Sequence, residues 1–287
     1  MTGSGRSLSR GGVRTRKGMP VNVAVLGTGN MGSAFVRGLL KRYGADVTVL
    51  AWDQRKDAHR YLPSEVKWCA PKEWFEGDTV PRVVVVAVKP QDMASALQPL
   101  AALHAGKAEV LWCSIAAGVT IAALGQLLGD SRHICRVMPN TPALIGEGVS
   151  AYALNDACTD DDASVAEHVL GACGEVVRVQ EKLMDAVTGL SGSGPAYVYL
   201  FIEALIEGGV SAGLPYDTAR RLAVQTVRGA AGMVEQTGEA PSVLKSAVMS
   251  PGGTTVRGLM ALEEHRVKYA IIRAVADATR RARELGS

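Results

Sequence analysis

The hexapeptide Gly27-Thr28-Gly29-Asn30-Met31-Gly32 lies between a β-branched run, Val21–Leu26, and a stretch with helical apolar spacing, Asn30–Tyr43. By itself the G-x-G-x-x-G pattern is weak. In this setting it demands a strand, a tight turn and a helix, in that order. Gly27 permits the turn, Gly29 lets the backbone approach a pyrophosphate, and Gly32 lets helix and strand pack closely. The helix start then offers unpaired N–H groups to an anion. The expected fold class is therefore α/β, with a dinucleotide site after the first strand.

The rest of the first half repeats the alternation. Strands are expected at Asp46–Ala51, Arg82–Val88, Glu109–Ile115 and His133–Met138, with helices at Gln91–His104 and Thr120–Leu128. Strands that alternate with helices imply crossover units and a parallel sheet. Val83–Val86 is continuously apolar, as a strand covered on both faces must be. Two more strands, Gly148–Leu154 and Glu175–Val179, flank a helix that begins after the acidic cap Thr159–Asp162.

Near Lys182 the period changes. Tyr197, Leu200, Phe201, Ala204, Leu205 and Gly208 recur at helical spacing, as do Ala223, Val227, Ala230, Ala231 and Val234. Ile202 and Ile206 add apolar surface on another side of the first helix. A helix apolar around most of its circumference must be buried on several faces. Part of this half is expected to pack against a second subunit.

The net charge of +3 belongs to one end of the chain. Arg6, Arg10, Arg14, Arg16 and Lys17 all precede Met19 without a single acid, and the remaining residues carry −2 (+3 less five). We read residues 1–19 as a disordered basic extension, with Met19 as an alternative start. An Arg- and Ser-rich segment of this kind also suits a nucleic-acid arm or a transit peptide. No nucleic-acid partner is expected of the nearly neutral body. No apolar run reaches the roughly 18–20 residues of a membrane helix, so no membrane partner is expected. The five cysteines form no C-x-x-C pair and the histidines no H-E-x-x-H spacing, so neither a disulfide framework nor a metal site is expected. A cytoplasmic location follows from the same reading.

Candidate ligand-contacting residues gather at strand ends. Asp53 stands where an acid holds a ribose 2′-hydroxyl, which favours NADH; Arg55 and Lys56 suit a 2′-phosphate, which favours NADPH. We lean towards NADPH, with NADH as the alternative. Ala87, Val88, Lys89 and Pro90 follow the next strong strand, and Ala116 and Ala117 the one after it. Arg136–Pro142 closes the set, with two prolines around Asn140 fixing an irregular turn. In the helical half, two glycine-rich stretches precede helices: Thr188–Tyr197, and Ser250-Pro251-Gly252-Gly253-Thr254-Thr255. Small residues and free N–H groups at a helix start suit a carboxylate, and equally an interhelix turn with capping.

With these motifs in order from Val21 almost to the C-terminus, the chain closely resembles the pyrroline-5-carboxylate reductases. The resemblance rests on Gly27–Gly32, Ala87–Pro90, Met138–Pro142, Asp185–Tyr197 and, most specifically, Leu244–Glu263 around Ser250–Thr255. It implies an N-terminal Rossmann-type parallel-sheet domain, placed at 20–181, and an all-helical substrate and dimerisation domain at 182–287. It implies a homodimer, often within a decameric ring of dimers, and a cyclic imine substrate reduced to proline. Thr255 and Ser250 match its catalytic loop, with Thr255 at the ring nitrogen. Gly252, Gly253 and Thr254 match its carboxylate cradle, and Glu181 and Ser193 match positions near the substrate. Lys245-Ser246-Ala247 departs from the Asp-Asn or Asp-Gln pair common in the family, so Ala247 offers no side-chain amide. Two alternatives remain. A Rossmann-type hydroxyacid dehydrogenase needs a Lys or His base, where this chain offers Ser and Thr. A non-catalytic dinucleotide-binding scaffold leaves Ser250 and Thr255 without a purpose.

Overall fold

The computed structural model describes residues 21–76, 80–103, 110–129 and 132–286. The basic extension, His104 and Glu109 lie outside the described residues. The chain divides after Met184: the first unit ends there and takes back Leu285 and Gly286, and the second is Asp185–Glu284.

The first unit is built on an eight-stranded sheet: β1 (Val21–Leu26), β2 (Val47–Trp52), β3 (Lys67–Trp68), β4 (Val83–Val86), β5 (Leu111–Ser114), β6 (His133–Met138), β7 (Gly148–Leu154) and β8 (Gly174–Arg178). Their order is β3-β2-β1-β4-β5-β6-β7-β8. The strands through β6 are parallel, as expected. Among the described residues only β6 and β7 pair antiparallel, with Val137 opposite Tyr152, while β7 and β8 run parallel to each other. The exception has a local cause. A parallel neighbour needs a crossover of a dozen or more residues. Between β6 and β7 the chain has only Pro139–Glu147, which forms a tight 3₁₀ turn at Thr141–Ile145.

Helices cover both faces: α1 (Asn30–Tyr43), α2 (Met93–Leu103), α3 (Ile121–Leu128) and α4 (Asp160–Leu170). The period of two in the strands decides which face each residue joins. Val23, Val25, Val83, Val85 and Cys113 pack with Phe35, Val36 and Leu39 of α1 and Val169 and Leu170 of α4. Ala24, Leu26, Val84, Val86 and Trp112 pack with Met93, Leu97 and Leu100 of α2 and Leu124 and Leu128 of α3. Thr120 caps α3 through its side chain, and Thr159 with Asp162 forms a reciprocal capping box at α4.

The second unit is helical. After the short α5 (Met184–Val187) and a π turn at Thr188–Gly192 come α6 (Gly194–Ser211), α7 (Tyr216–Thr237), α8 (Pro241–Ala247), α9 (Thr254–Glu264) and α10 (Val267–Gly286). Its own core is small. Ile206 meets Ala219 and Ala223, with Ile202 alongside. The face of α6 that packs inward is thus the Ile202/Ile206 side, while Leu200 and Phe201 stay exposed.

Candidate active site

The strand order reverses between β1 and β4, which makes their carboxyl ends the place where open α/β sheets bind ligands. The glycine turn fills one side of that place. Gly27 has φ +91°, and a Cβ there would sit 2.8 Å from the Ala87 carbonyl oxygen. A Cβ on Gly32 would overlap the Gly27 carbonyl. Gly29, the residue before α1, has nothing within 4 Å of its Cβ position. No side chain caps the start of α1. The open space and the uncapped amides fit a pyrophosphate, so the residues present suit a dinucleotide.

Ala87 donates its amide to Leu26 O at 2.7 Å, and Ile115 donates to Val86 O at 3.0 Å, which lines up the ends of β1, β4 and β5. The structure thereby brings Gly27, Thr28, Gly29, Asn30, Met31 and Gly32 to one edge with Ala87–Pro90, Ala116 and Ala117. Lys89 is exposed there; Ala116 is buried and Ala117 exposed.

Asp53 and Arg55, which pointed to opposite cofactors, form one cluster. Asp53 Oδ2 accepts from Thr28 N at 2.7 Å, Thr28 Oγ1 at 3.1 Å and Arg55 Nη2 at 3.0 Å. Oδ1 accepts from Arg55 N at 3.0 Å and Arg55 Nε at 2.9 Å. Arg55 Nη2 also donates to Thr28 O at 3.2 Å. Burial alone would raise the Asp53 carboxyl. The Arg55 guanidinium and the Arg55 and Thr28 amides outweigh it and hold the group well below the usual carboxylate range.

Glu181, expected near the substrate, lies in the sheet unit. Its Oε1 accepts Ile121 N at the start of α3, 2.7 Å away, and pairs with Arg136 Nη1 at 3.3 Å. Asn140 accepts Val149 N at 3.0 Å and so ties the proline turn to β7. Sequence reasoning missed both contacts. For Glu181 the available signal was a buried-strand arginine, Arg136, with no acid near it in sequence.

In the second unit, Gly252 is left-handed at φ +71°. Gly253 donates its amide to Ser250 O at 2.9 Å, and a Cβ on it would overlap Ser250 Oγ. Gly253 precedes α9, Thr254 and Thr255 are its first two residues, and no side chain caps the helix. Ser193 likewise precedes α6. Tyr197 Oη donates to Gly189 O at 3.3 Å and lies 3.4 Å from Ala274 O, which fixes the π turn against α10. Ala247 ends α8.

A doubly covered sheet with this glycine turn at its switch point, joined to a helical unit, defines a Rossmann-type NAD(P)H-dependent oxidoreductase. Comparison with known proteins narrows the class. The chain belongs to the pyrroline-5-carboxylate reductase family. The family model for pyrroline-5-carboxylate reductase dimerisation matches residues 181–285, and one described as NADP oxidoreductase, coenzyme F420-dependent, matches residues 22–118. The pyrroline-5-carboxylate reductase of Synechocystis sp. is 41% identical over 270 residues, covering 93% of this chain and 99% of its own. That of Glycine max is 48% identical over 206 residues, covering 71% and 73%. Among solved structures, the enzyme of Coxiella burnetii superposes with a TM-score of 0.86 at 32% identity, over 93% of this chain and 99% of that one. The Plasmodium falciparum enzyme with NADP bound gives 0.82 at 32% identity, over 94% and 100%.

Proposed function

We propose that the chain transfers a hydride from NADPH to the imine carbon of 1-pyrroline-5-carboxylate and releases L-proline, the last step of proline biosynthesis. The observation that carries this reading is the Ser250–Thr255 turn. Its left-handed Gly252 and close-packed Gly253 open α9 with no side-chain cap. That leaves the first helical amides for a substrate carboxylate and puts a hydroxyl, Thr255, beside them.

When bound, the reduced nicotinamide supplies the hydride. The amides of Thr254 and Thr255 hold the carboxylate, while that of Gly253 is spent on Ser250 O and fixes the turn. Thr255 Oγ1 orients the ring nitrogen, donating or accepting as the nitrogen's protonation requires. As the C=N π pair settles on nitrogen, the hydroxyl keeps the nitrogen's proton in place. A protonated imine is already electrophilic, so the residues need to position charge and need no strong acid. Ser250 holds the turn from below, and Ser193 lines the start of α6 as a second substrate-side hydroxyl.

Support for NADPH comes from the exposed guanidinium of Arg55 at the end of β2. The second unit serves as the substrate and dimerisation domain, on its match to a dimerisation family and its small core. The cytoplasm is the location we assign, on five free thiols, which suit a reducing compartment.

A steady-state assay with pyrroline-5-carboxylate tests the reading. Consumption of reduced nicotinamide with formation of proline is expected. A folded sample that turns over with neither NADPH nor NADH overturns it.

A further inference from the structure

We propose that Asp53 is a positioning residue for a 2′-phosphate, holding the Arg55 guanidinium with one edge turned outward, and that it does not read the ribose hydroxyls. The inference rests on the dinucleotide reading above and names what decides between the two dinucleotides.

The first argument is the saturation of the carboxylate. An ionised carboxylate offers about four lone-pair sites. Asp53 already takes five donors: Thr28 N, Thr28 Oγ1, and the N, Nε and Nη2 of Arg55. Its side chain is only 9% exposed. An acid that serves NAD must accept from the ribose 2′-hydroxyl. Here the acceptor positions are occupied from within the protein.

The second argument is the edge that Arg55 leaves over. A guanidinium carries five N–H groups in a fixed fork. Nε is spent on Asp53, and Nη2 on Asp53 and Thr28 O. Nη1 has no partner among the described residues, and the side chain is 57% exposed. The side chain is therefore anchored on one edge and open on the other, at the end of β2 where a cofactor ribose is recognised. Planar donors of this kind suit phosphate oxygens. Lys56, exposed next to it, adds charge of the same sign.

The geometry also removes the objection that an acid at this position repels a phosphate. The Asp53 charge is matched by the guanidinium lying on it and covered from solvent. Arg55 is thereby pinned to Thr28, in the glycine turn itself, through two residues of the β2 end.

Equilibrium binding to the full chain tests this without reference to turnover. NADPH, NADH and adenosine 2′,5′-bisphosphate are titrated into wild type, Arg55→Ala, Asp53→Ala, Asp53→Asn and the double alanine variant. Loss of a charge-assisted contact predicts that Arg55→Ala weakens NADPH and the bisphosphate by about 10–100-fold, with NADH moving much less. Asp53→Ala should lower the NADPH-to-NADH preference in the same direction, and should add less than about twofold once Arg55 is gone, the mark of two residues acting as one unit. Asp53→Asn, which keeps the shape and an acceptor for Thr28, should fall between wild type and Asp53→Ala. It carries the test alone if the alanine variant does not fold. The opposite movement overturns the inference: NADH weakened selectively by loss of Asp53, with NADPH unchanged or tighter, as for a ribose acceptor. Wild type that binds neither dinucleotide removes the dinucleotide reading, and this inference with it.

Discussion

The buried guanidinium of Arg136 meets the carboxylate of Glu181 at 3.3 Å, and the same carboxylate oxygen takes the first amide of α3. Glu181 stands three residues before the sheet unit ends at Met184, so the pair holds the last turn of that unit against β6. Removing one partner of a largely buried pair commonly costs about 3–5 kcal/mol, less where a partner is half exposed as Glu181 is. Glu181→Ala should lower unfolding stability by about 2 kcal/mol, part of it from the α3 amide. Urea denaturation of the two proteins measures this, and a change within experimental scatter would reduce the pair to a surface contact.

A second network sets the acid limit. Asp162 accepts from Thr159 N at 2.7 Å and Arg82 Nη2 at 2.8 Å, and His133 Nδ1 lies 2.9 Å away. Burial alone would raise this carboxyl. The Thr159 amide, the Arg82 guanidinium and the Thr159 hydroxyl outweigh it and bring it to about 2. The folded value lies below the ordinary one of about 3.9, so the contribution is complete above that value and is lost as pH falls towards 2. Wild type should therefore lose stability between about pH 4 and pH 2 more steeply than Asp162→Asn. Denaturation midpoints for both proteins at several pH values in that window check the difference. Parallel curves would show that Asp162 is not the group responsible.

Local signals carried much of the fold. Val21–Leu26, Asn30–Tyr43, His133–Met138 and Gly148–Leu154 have the limits that their runs and flanking Gly or Pro residues indicate. Elsewhere tertiary pairing moved the ends. β2 was expected from Asp46, but its register against β1 runs from Val47 to Trp52, and Gly44–Asp46 closes a 3₁₀ turn instead. β4 stops at Val86 because Ala87 is already in the turn packed against Gly27. β3 is two residues long and leaves no period to read. The antiparallel β7 was legible in principle, from the missing helix before it. At the site, the motifs named which residues gather but not how they pair. Asp53 and Arg55 read as rivals in sequence because their spacing does not show that Arg55 folds back onto the Asp53 carboxylate, and Thr28, the partner both share, lies 25 residues before Asp53.

The second unit predicts its own association. Among its described residues only four apolar side chains are buried: Ile206, Ala219, Ala223 and Ala282. Leu200 on α6, Leu222 on α7 and Ile272 on α10 are 67%, 55% and 56% exposed. Obligate interfaces bury about 2,000 Å² or more, which surfaces of this kind supply. Sedimentation should give a dimer or a larger assembly at the lowest measurable concentration, with activity and melting temperature falling together on dissociation. A stable, active monomer would refute it.

Thr255 is the residue whose loss should most damage the chemistry while sparing the fold. The competing role for a threonine at a helix start is capping, worth about 1 kcal/mol. The structure separates the two roles. Gly253 occupies the cap position of α9 and brings no side chain to it, Thr255 is the second helical residue, and among the described residues no side-chain cap bond is made there. Thr255→Ala therefore removes no cap, and alanine's higher helix propensity even favours the helix by a few tenths of a kcal/mol. The melting temperature should stay level or rise slightly. The hydroxyl that orients the ring nitrogen is lost, however, and kcat should fall by about ten- to a thousandfold, the range for a positioned proton-handling group. Thr255→Ser keeps the hydroxyl and should retain much of the rate, with a slightly looser side chain because serine lacks the branching methyl. Measuring kcat and melting temperature for both variants decides the matter. A wild-type kcat in Thr255→Ala would leave the hydroxyl without a catalytic role, and a fall in kcat matched by a fall in melting temperature would assign the loss to folding.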